Sequence, residues 1–176
     1  SMVTASNGAE PIRRKTVVDF INTFERCGFP ADAFSPAYGM AEATLMVSAK
    51  SKDTPVRIIN ADANALEHEN RVIEIESEYV GKELLVKKKS ENNNKLSENI
   101  NFNDTESDLS CSPTSRWIVS CGTPVEDMNV VIVDVNEMTK CSDGNVGEIW
   151  LSHPSIAVGY WHKPEESHKT FGAKLI

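Results

Sequence analysis

Tyr38-Gly39-Met40-Ala41-Glu42-Ala43-Thr44 is the stretch on which the reading of this chain turns. By local chemistry it is a loop feeding a short helix, because Ala and Glu favour helix and Ala43, Leu45, Met46 and Val47 supply an apolar body. The N-terminus of a helix leaves backbone N–H groups unpaired and attracts anions, phosphates included. Glu42 at that place can serve a divalent cation, since magnesium takes a few carboxylate oxygens together with phosphate and water oxygens. Tyr38 can stack on a planar base. A structural reading competes with this one: Glu42 caps the helix dipole and Tyr38 packs in the core, and a motif this short does not separate the two.

Upstream, Asn7-Gly8-Ala9-Glu10-Pro11 reads as a turn, with Pro11 forcing Glu10 out of the helical region. A helix follows. Thr16 and Asp19 are spaced as a capping box, and Val17, Phe20, Ile21 and Phe24 fall on one apolar stripe that Gly28 ends. Downstream, Val56-Arg57-Ile58-Ile59 predicts a strand, Asp62 to Leu66 a helical turn, and Arg71 to Ile75 another strand. From 87 to 115 the chain is polar and Asn-rich and is expected to be a disordered insertion, with Lys87-Lys88-Lys89 in a solvated loop. Strand signals return at Trp117 to Cys121, Val130 to Val133 and Val146 to Leu151, with turns at Gly122-Thr123-Pro124 and Asp143-Gly144. Their close succession predicts an antiparallel β lobe. Pro164 to Thr170 suits a short helix with Glu165 and Glu166 at its positive end.

Composition bounds the function. The 176 residues have a formal net charge of −8, which disfavours nucleic acid as a partner. No apolar run approaches the about 20 residues a membrane-spanning helix needs. Cys27, Cys111, Cys121 and Cys141 form no CxxC or CxxH pair, so they are read as buried or half-buried free thiols in a reducing, cytoplasmic setting. His68, His153, His162 and His168 show no metal-pair spacing and are read as surface or packing residues. Ser1-Met2 looks like a cloning remnant, and both ends are expected to be internal to a longer protein.

Tyr38 to Thr44 resembles the YGxAEAT signature of fatty acyl-AMP ligases, a branch of the adenylate-forming superfamily whose wider consensus has Thr where Ala41 stands. Asn7 to Pro11, roughly thirty residues upstream, is similar to that family's adenine-side loop. Ser120-Cys121-Gly122-Thr123-Pro124, Gly147-Glu148-Ile149-Trp150, Gly159-Tyr160-Trp161 with Lys163-Pro164-Glu165, and Thr170-Phe171-Gly172 resemble its downstream motifs in the same order.

The resemblance implies an α/β fold: a partial α/β lobe of the AMP-binding domain over 1–55, an insertion region over 56–115, and an antiparallel, barrel-like β lobe with a short terminal helix over 116–176. It implies that Gly8, Ala9, Glu10 and Pro11 line the adenine, that Tyr38 stacks on it, and that Gly39, Met40 and Ala41 border the phosphate and acyl carbonyl. Glu42 would be the catalytic residue that holds Mg2+ on ATP. Gly147, Glu148, Trp150, Gly159 and Tyr160 are assigned to packing, and Trp150 and Trp161 to core or interface. The implied reaction joins a fatty acid to ATP as an acyl-adenylate, for transfer to the phosphopantetheine of an acyl carrier protein. A long-chain acyl-CoA synthetase and a non-catalytic lipid- or protein-binding module with the same fold are the alternatives. The superfamily's phosphate loop, its ribose-binding aspartate motif and its C-terminal domain have no counterpart here, so the 176 residues alone are expected to be inactive.

Overall fold

The computed structural model describes residues 4–52, 54–81, 86–89 and 114–176, the segment 86–89 by its backbone. The expectation of disorder for 87–115 therefore lies largely outside the described residues. Where the two overlap, Val86–Lys89 is a strand, so the Lys87-Lys88-Lys89 run is part of a sheet rather than a solvated loop. Its backbone ladder sets Lys89 opposite Glu76 and Lys87 opposite Glu78 in register.

The chain opens with β1 (Ala5–Asn7) and α1 (Arg14–Glu25). Helix α1 begins ahead of the expected cap, after Arg13 in extended backbone, so Thr16 lies inside it and no capping box forms. Asp19 instead accepts from Lys15 one turn earlier, at 2.6 Å. The buried face is Val17, Val18 and Ile21, while Phe20 and Phe24 sit at the rim and cluster with each other, Phe29 and Phe34. After a 3-10 turn at Ala31–Ala33 comes β2 (Phe34–Met40), which pairs in parallel with β1.

The largest departure from the sequence reading follows. Ala41–Ala43 makes one 3-10 turn, Thr44 and Leu45 take left-handed backbone angles (φ 54 and 88), and the chain reverses into β3 (Leu45–Ala49). No helix forms there. Of the expected apolar body only Ala43 and Val47 are buried, whereas Leu45 is 70 % exposed. Helix propensity is a weak preference that pairing overrides: β3 hydrogen-bonds β2 on one side and a two-residue strand, β4 (Thr123–Pro124), on the other.

The second sheet is antiparallel, in the order β5 (Val86–Lys89), β6 (Glu74–Val80), β7 (Val56–Asp62), β8 (Ser115–Val119). Here β8, expected to join the downstream β lobe, pairs with β7 instead, because Val119 and Trp117 complete the core that α1 covers. That core unites Val17, Val18 and Ile21 with Phe34, Val56, Ile58, Val80 and Val119. Helix α2 (Ala63–His68) follows β7 directly, its first turn capped by the Asp62 carboxylate on the Ala65 amide at 2.9 Å.

A third sheet joins β9 (Asn129–Asp134), β10 (Thr139–Lys140) and β11 (Glu148–Ser152), all antiparallel. None of the sheets closes on itself among the described residues. Helix α3 (Pro164–Phe171) matches the reading from Pro164, Glu165 and Glu166. Trp161 is 87 % exposed, so of its two expected places, core or lobe interface, it is not in the core, and Trp150 is half-buried with its indole N–H on Glu148 at 2.9 Å. Cys121 and Cys141 are half-buried thiols as expected, Cys27 is exposed, and Cys111 lies outside the described residues.

Candidate functional site

Parallel pairing of β1 with β2 sets Asn7 opposite Pro36, so the chain leaves β1 at Gly8 against the carbonyl of Ala37. This brings Gly8 of the Asn7-to-Pro11 turn against Ala37, the residue before Tyr38. Two stretches separated by some thirty residues in sequence lie on adjacent, parallel-paired strands. The turn, with Ile12, Arg13 and Thr16, borders an open cavity of about 400 Å³. Ala9 in the turn has φ 75, a left-handed angle that a non-glycine residue rarely adopts. With Thr44 and Leu45, this puts backbone strain in both motifs, the kind of strain that persists where surrounding structure holds it in place.

Tyr38 and Met40 are half-buried and pack on a second apolar cluster of Ala43, Val47 and Met128, joined by Val130, Leu151 and Ile156. The structural reading of Tyr38 as a packing residue thus has direct support, and part of its surface remains in reach of solvent. A β-bulge falls between Tyr38 and Gly39, and an added Cβ at Gly39 would lie 1.9 Å from the Leu45 carbonyl oxygen. Only glycine lets β3 fold back that closely.

Glu42 is carried on the 3-10 turn at the tip of this hairpin, so the helix N-terminus inferred from the sequence is not its setting. Its carboxylate Oε1 accepts a hydrogen bond from the Tyr160 hydroxyl at 2.6 Å, and its backbone carbonyl accepts from the Ala157 amide at 2.8 Å. The Tyr160 hydroxyl, with a smaller contribution from Glu42's own amide, holds the Glu42 carboxyl below the usual carboxylate range. The same contact pushes the Tyr160 phenol above its ordinary value. Thr44 Oγ1 donates to the Ser155 carbonyl at 2.6 Å. The 155–160 segment, in which Gly159 and Tyr160 are read from sequence as packing residues, therefore touches the motif at several points. No local pattern signals a contact across 118 residues.

Glu10 borders the turn cavity, and Ala41 is exposed at the hairpin tip. On the other flank of β3, a wider groove of about 610 Å³ runs along Thr44, Met46, Lys50, Val125, Met128 and His153. Among the described residues no cluster of three or more His, Cys, Asp or Glu side chains could hold a metal unaided. Glu42 supplies one ionised carboxylate on an accessible turn. That donor set fits magnesium completed by phosphate and water oxygens, and does not fit a cation held by protein alone.

A sequence profile for AMP-binding enzymes matches residues 105–161. Over 98% of its length the chain is 42% identical to a medium-chain fatty acid–[acyl-carrier-protein] ligase, JamA, of Moorena producens. The chain is thus similar to AMP-binding enzymes, and to fatty acid ligases among them. It is also 34% identical over 94% of its length to a long-chain fatty acid–AMP ligase, FadD32, of Mycolicibacterium smegmatis. Against the crystal structure of a fatty acyl-adenylate ligase from L. pneumophila with acyl adenylate and pyrophosphate, the chain superposes with TM-score 0.69 at 31% identity, covering 98% of its own length. It spans 24% of JamA, 21% of FadD32 and 24% of the Legionella chain, about a quarter of each. The mixed sheets and few helices are those of this fold. No described helix is long and apolar enough to cross a membrane.

Proposed function

We propose that this chain is part of a cytoplasmic ligase that condenses a fatty acid with ATP to an acyl-adenylate and then passes the acyl group to an acyl carrier protein. The observation that carries the reading is the parallel pairing that sets Gly8 against Ala37, so that the Asn7-to-Pro11 turn and the strand bearing Tyr38 are neighbours, in a chain 42% identical to a carrier-protein ligase. In this reading the fatty carboxylate attacks the α-phosphate, forming the acyl–phosphate bond as pyrophosphate leaves. The enzyme needs no nucleophile of its own, and catalysis rests on positioning and charge stabilisation.

Gly8, Ala9, Glu10 and Pro11 border the adenine; Tyr38 offers its solvent-reachable side to the base; Gly39, Met40 and Ala41 border the phosphate and acyl carbonyl. Glu42 holds magnesium, which when bound neutralises charge on the ATP phosphates. Residues 1–55 contribute to the nucleotide lobe, 56–115 form the insertion region with Ser115–Val119 completing its sheet, and the chain from 120 to 176 belongs to a β lobe that becomes barrel-like within the longer protein.

The test is acyl-adenylate formation by the full-length protein, followed as fatty-acid-dependent ATP–pyrophosphate exchange. Glu42→Gln is expected to lower exchange by two orders of magnitude or more, on the order of one charge-stabilising contact in a transition state. Exchange unchanged by Glu42→Gln refutes the role of Glu42, and absence of exchange in the unaltered protein refutes the ligase reading. Acyl transfer to coenzyme A in preference to a carrier protein would correct the acceptor.

A further inference from the structure

Three hydrogen bonds join the hairpin tip to the 155–160 segment. The Tyr160 hydroxyl donates to Glu42 Oε1 at 2.6 Å, the Ala157 amide to the Glu42 carbonyl at 2.8 Å, and Thr44 Oγ1 to the Ser155 carbonyl at 2.6 Å. They grip Glu42 from the side chain, its own backbone and the residue two positions on. The turn they hold has Thr44 and Leu45 both in left-handed backbone, which non-glycine residues rarely adopt.

Tyr160 is in turn fixed from behind. Its amide donates to Ser167 Oγ at 2.8 Å, Ser167 Oγ donates to the Lys163 carbonyl at 2.6 Å, and its ring stands edge-on to Phe171 with centroids 5.2 Å apart. Gly159 permits this approach, because φ is +150 and an added Cβ would come within 2.9 Å of Ser167 Oγ. The phenol is thus mounted on the first turn of α3 and aimed at one carboxylate oxygen. No other described residue bonds to the second oxygen.

We infer that Tyr160 is a positioning residue for Glu42: it occupies Oε1 and presents Oε2 as the single oxygen for a nucleotide-bound divalent cation. This rests on the proposed role of Glu42. A cation that keeps most of its water and meets protein through one carboxylate oxygen gains from a carboxylate whose rotation is already arrested.

The experiment compares Tyr160→Phe and Glu42→Gln in the full-length protein. Tyr160→Phe keeps the ring against Phe171 and removes only the hydroxyl. Mn2+ binding in the presence of a non-hydrolysable ATP analogue is followed by electron paramagnetic resonance, alongside the Mg2+ dependence of exchange and the thermal midpoint. Tyr160→Phe is expected to weaken Mn2+ binding roughly 3- to 10-fold, the scale of one lost hydrogen bond to a charged group. It should raise the Mg2+ requirement of exchange in parallel, with the thermal midpoint close to the unaltered protein. Mn2+ binding that is unchanged or tighter in Tyr160→Phe, while Glu42→Gln weakens it, overturns the positioning role and leaves Glu42 as the cation residue. If Glu42→Gln leaves Mn2+ binding unchanged, the role of Glu42 fails and the positioning role falls with it.

Discussion

Replacing Arg14 with Met should cost this chain a large part of its stability. Glu78, on β6, has a fully buried side chain, and it accepts from Arg14 Nε at 2.6 Å and Nη2 at 3.0 Å. The guanidinium, 15% exposed, also lies 4.5 Å over the Trp117 ring. Arg14→Met removes both bonds from a carboxylate that has no route to water, a change worth about 3–5 kcal/mol in buried pairs. The stacking contact adds about 0.5–1 kcal/mol. Against a typical total stability of roughly 5–15 kcal/mol, that loss is large. Urea unfolding followed by tryptophan fluorescence reads it directly. Replacing both residues, Arg14→Met with Glu78→Met, should recover most of the loss, because an apolar pair of similar volume avoids the desolvation cost altogether. An Arg14→Met loss below about 1 kcal/mol, or a double variant no better than the single, would refute the assignment of this pair as a buried, coupled unit. The pair also bears on the site, since Arg14 is the first residue of α1 and anchors the helix that follows the Asn7-to-Pro11 turn.

Gly39→Ala puts a methyl group 1.9 Å from the Leu45 carbonyl oxygen, so it should lower stability by about 3 kcal/mol and abolish exchange, as read by thermal midpoint and pyrophosphate assay. The Glu42–Tyr160 contact should be pH-dependent at both ends. Because the Glu42 carboxyl is held low by Tyr160, its contribution is in place above the ordinary carboxylate range and is lost as pH falls through the lowered value. Because the Tyr160 phenol is raised, chiefly by Glu42 with Glu166 adding and Thr170 opposing, the contact is lost again as alkaline pH rises through that value. Carboxyl and ring NMR titrations of Tyr160→Phe and Glu42→Gln should each lose the partner's shift; persistence of either refutes the coupling. Trp161→Ser should leave the thermal midpoint within the range of a surface change, about 0.5 kcal/mol, since the indole is 87 % exposed.

Much of the fold was legible where local pattern and final contacts agree. Asp62 caps α2, Pro164 with two glutamates starts α3, and Asp143-Gly144 turns the chain before β11. The Gly122 turn leads into Thr123–Pro124, although their pairing to β3 was not foreseen. Misreadings fall where a distant partner outbid a local preference. Ala41 to Val47 has helix propensity, yet becomes a turn and a strand because β2 and β4 flank it. Lys87 to Lys89 has the composition of a loop, yet its backbone pairs with β6 in a ladder.

The amino-acid sequence by itself pointed to the resemblance with fatty acyl-AMP ligases, through ordered motifs at characteristic separations, and it singled out Tyr38 and Glu42. Tertiary structure alone decided what those residues touch. Glu42 meets Tyr160 across 118 residues, and Gly8 meets Ala37 through a parallel strand pair. Sequence periodicity reports which face of an element is apolar, but a hydrogen bond between distant turns leaves no period behind. It exists only once the sheets have fixed where each turn ends.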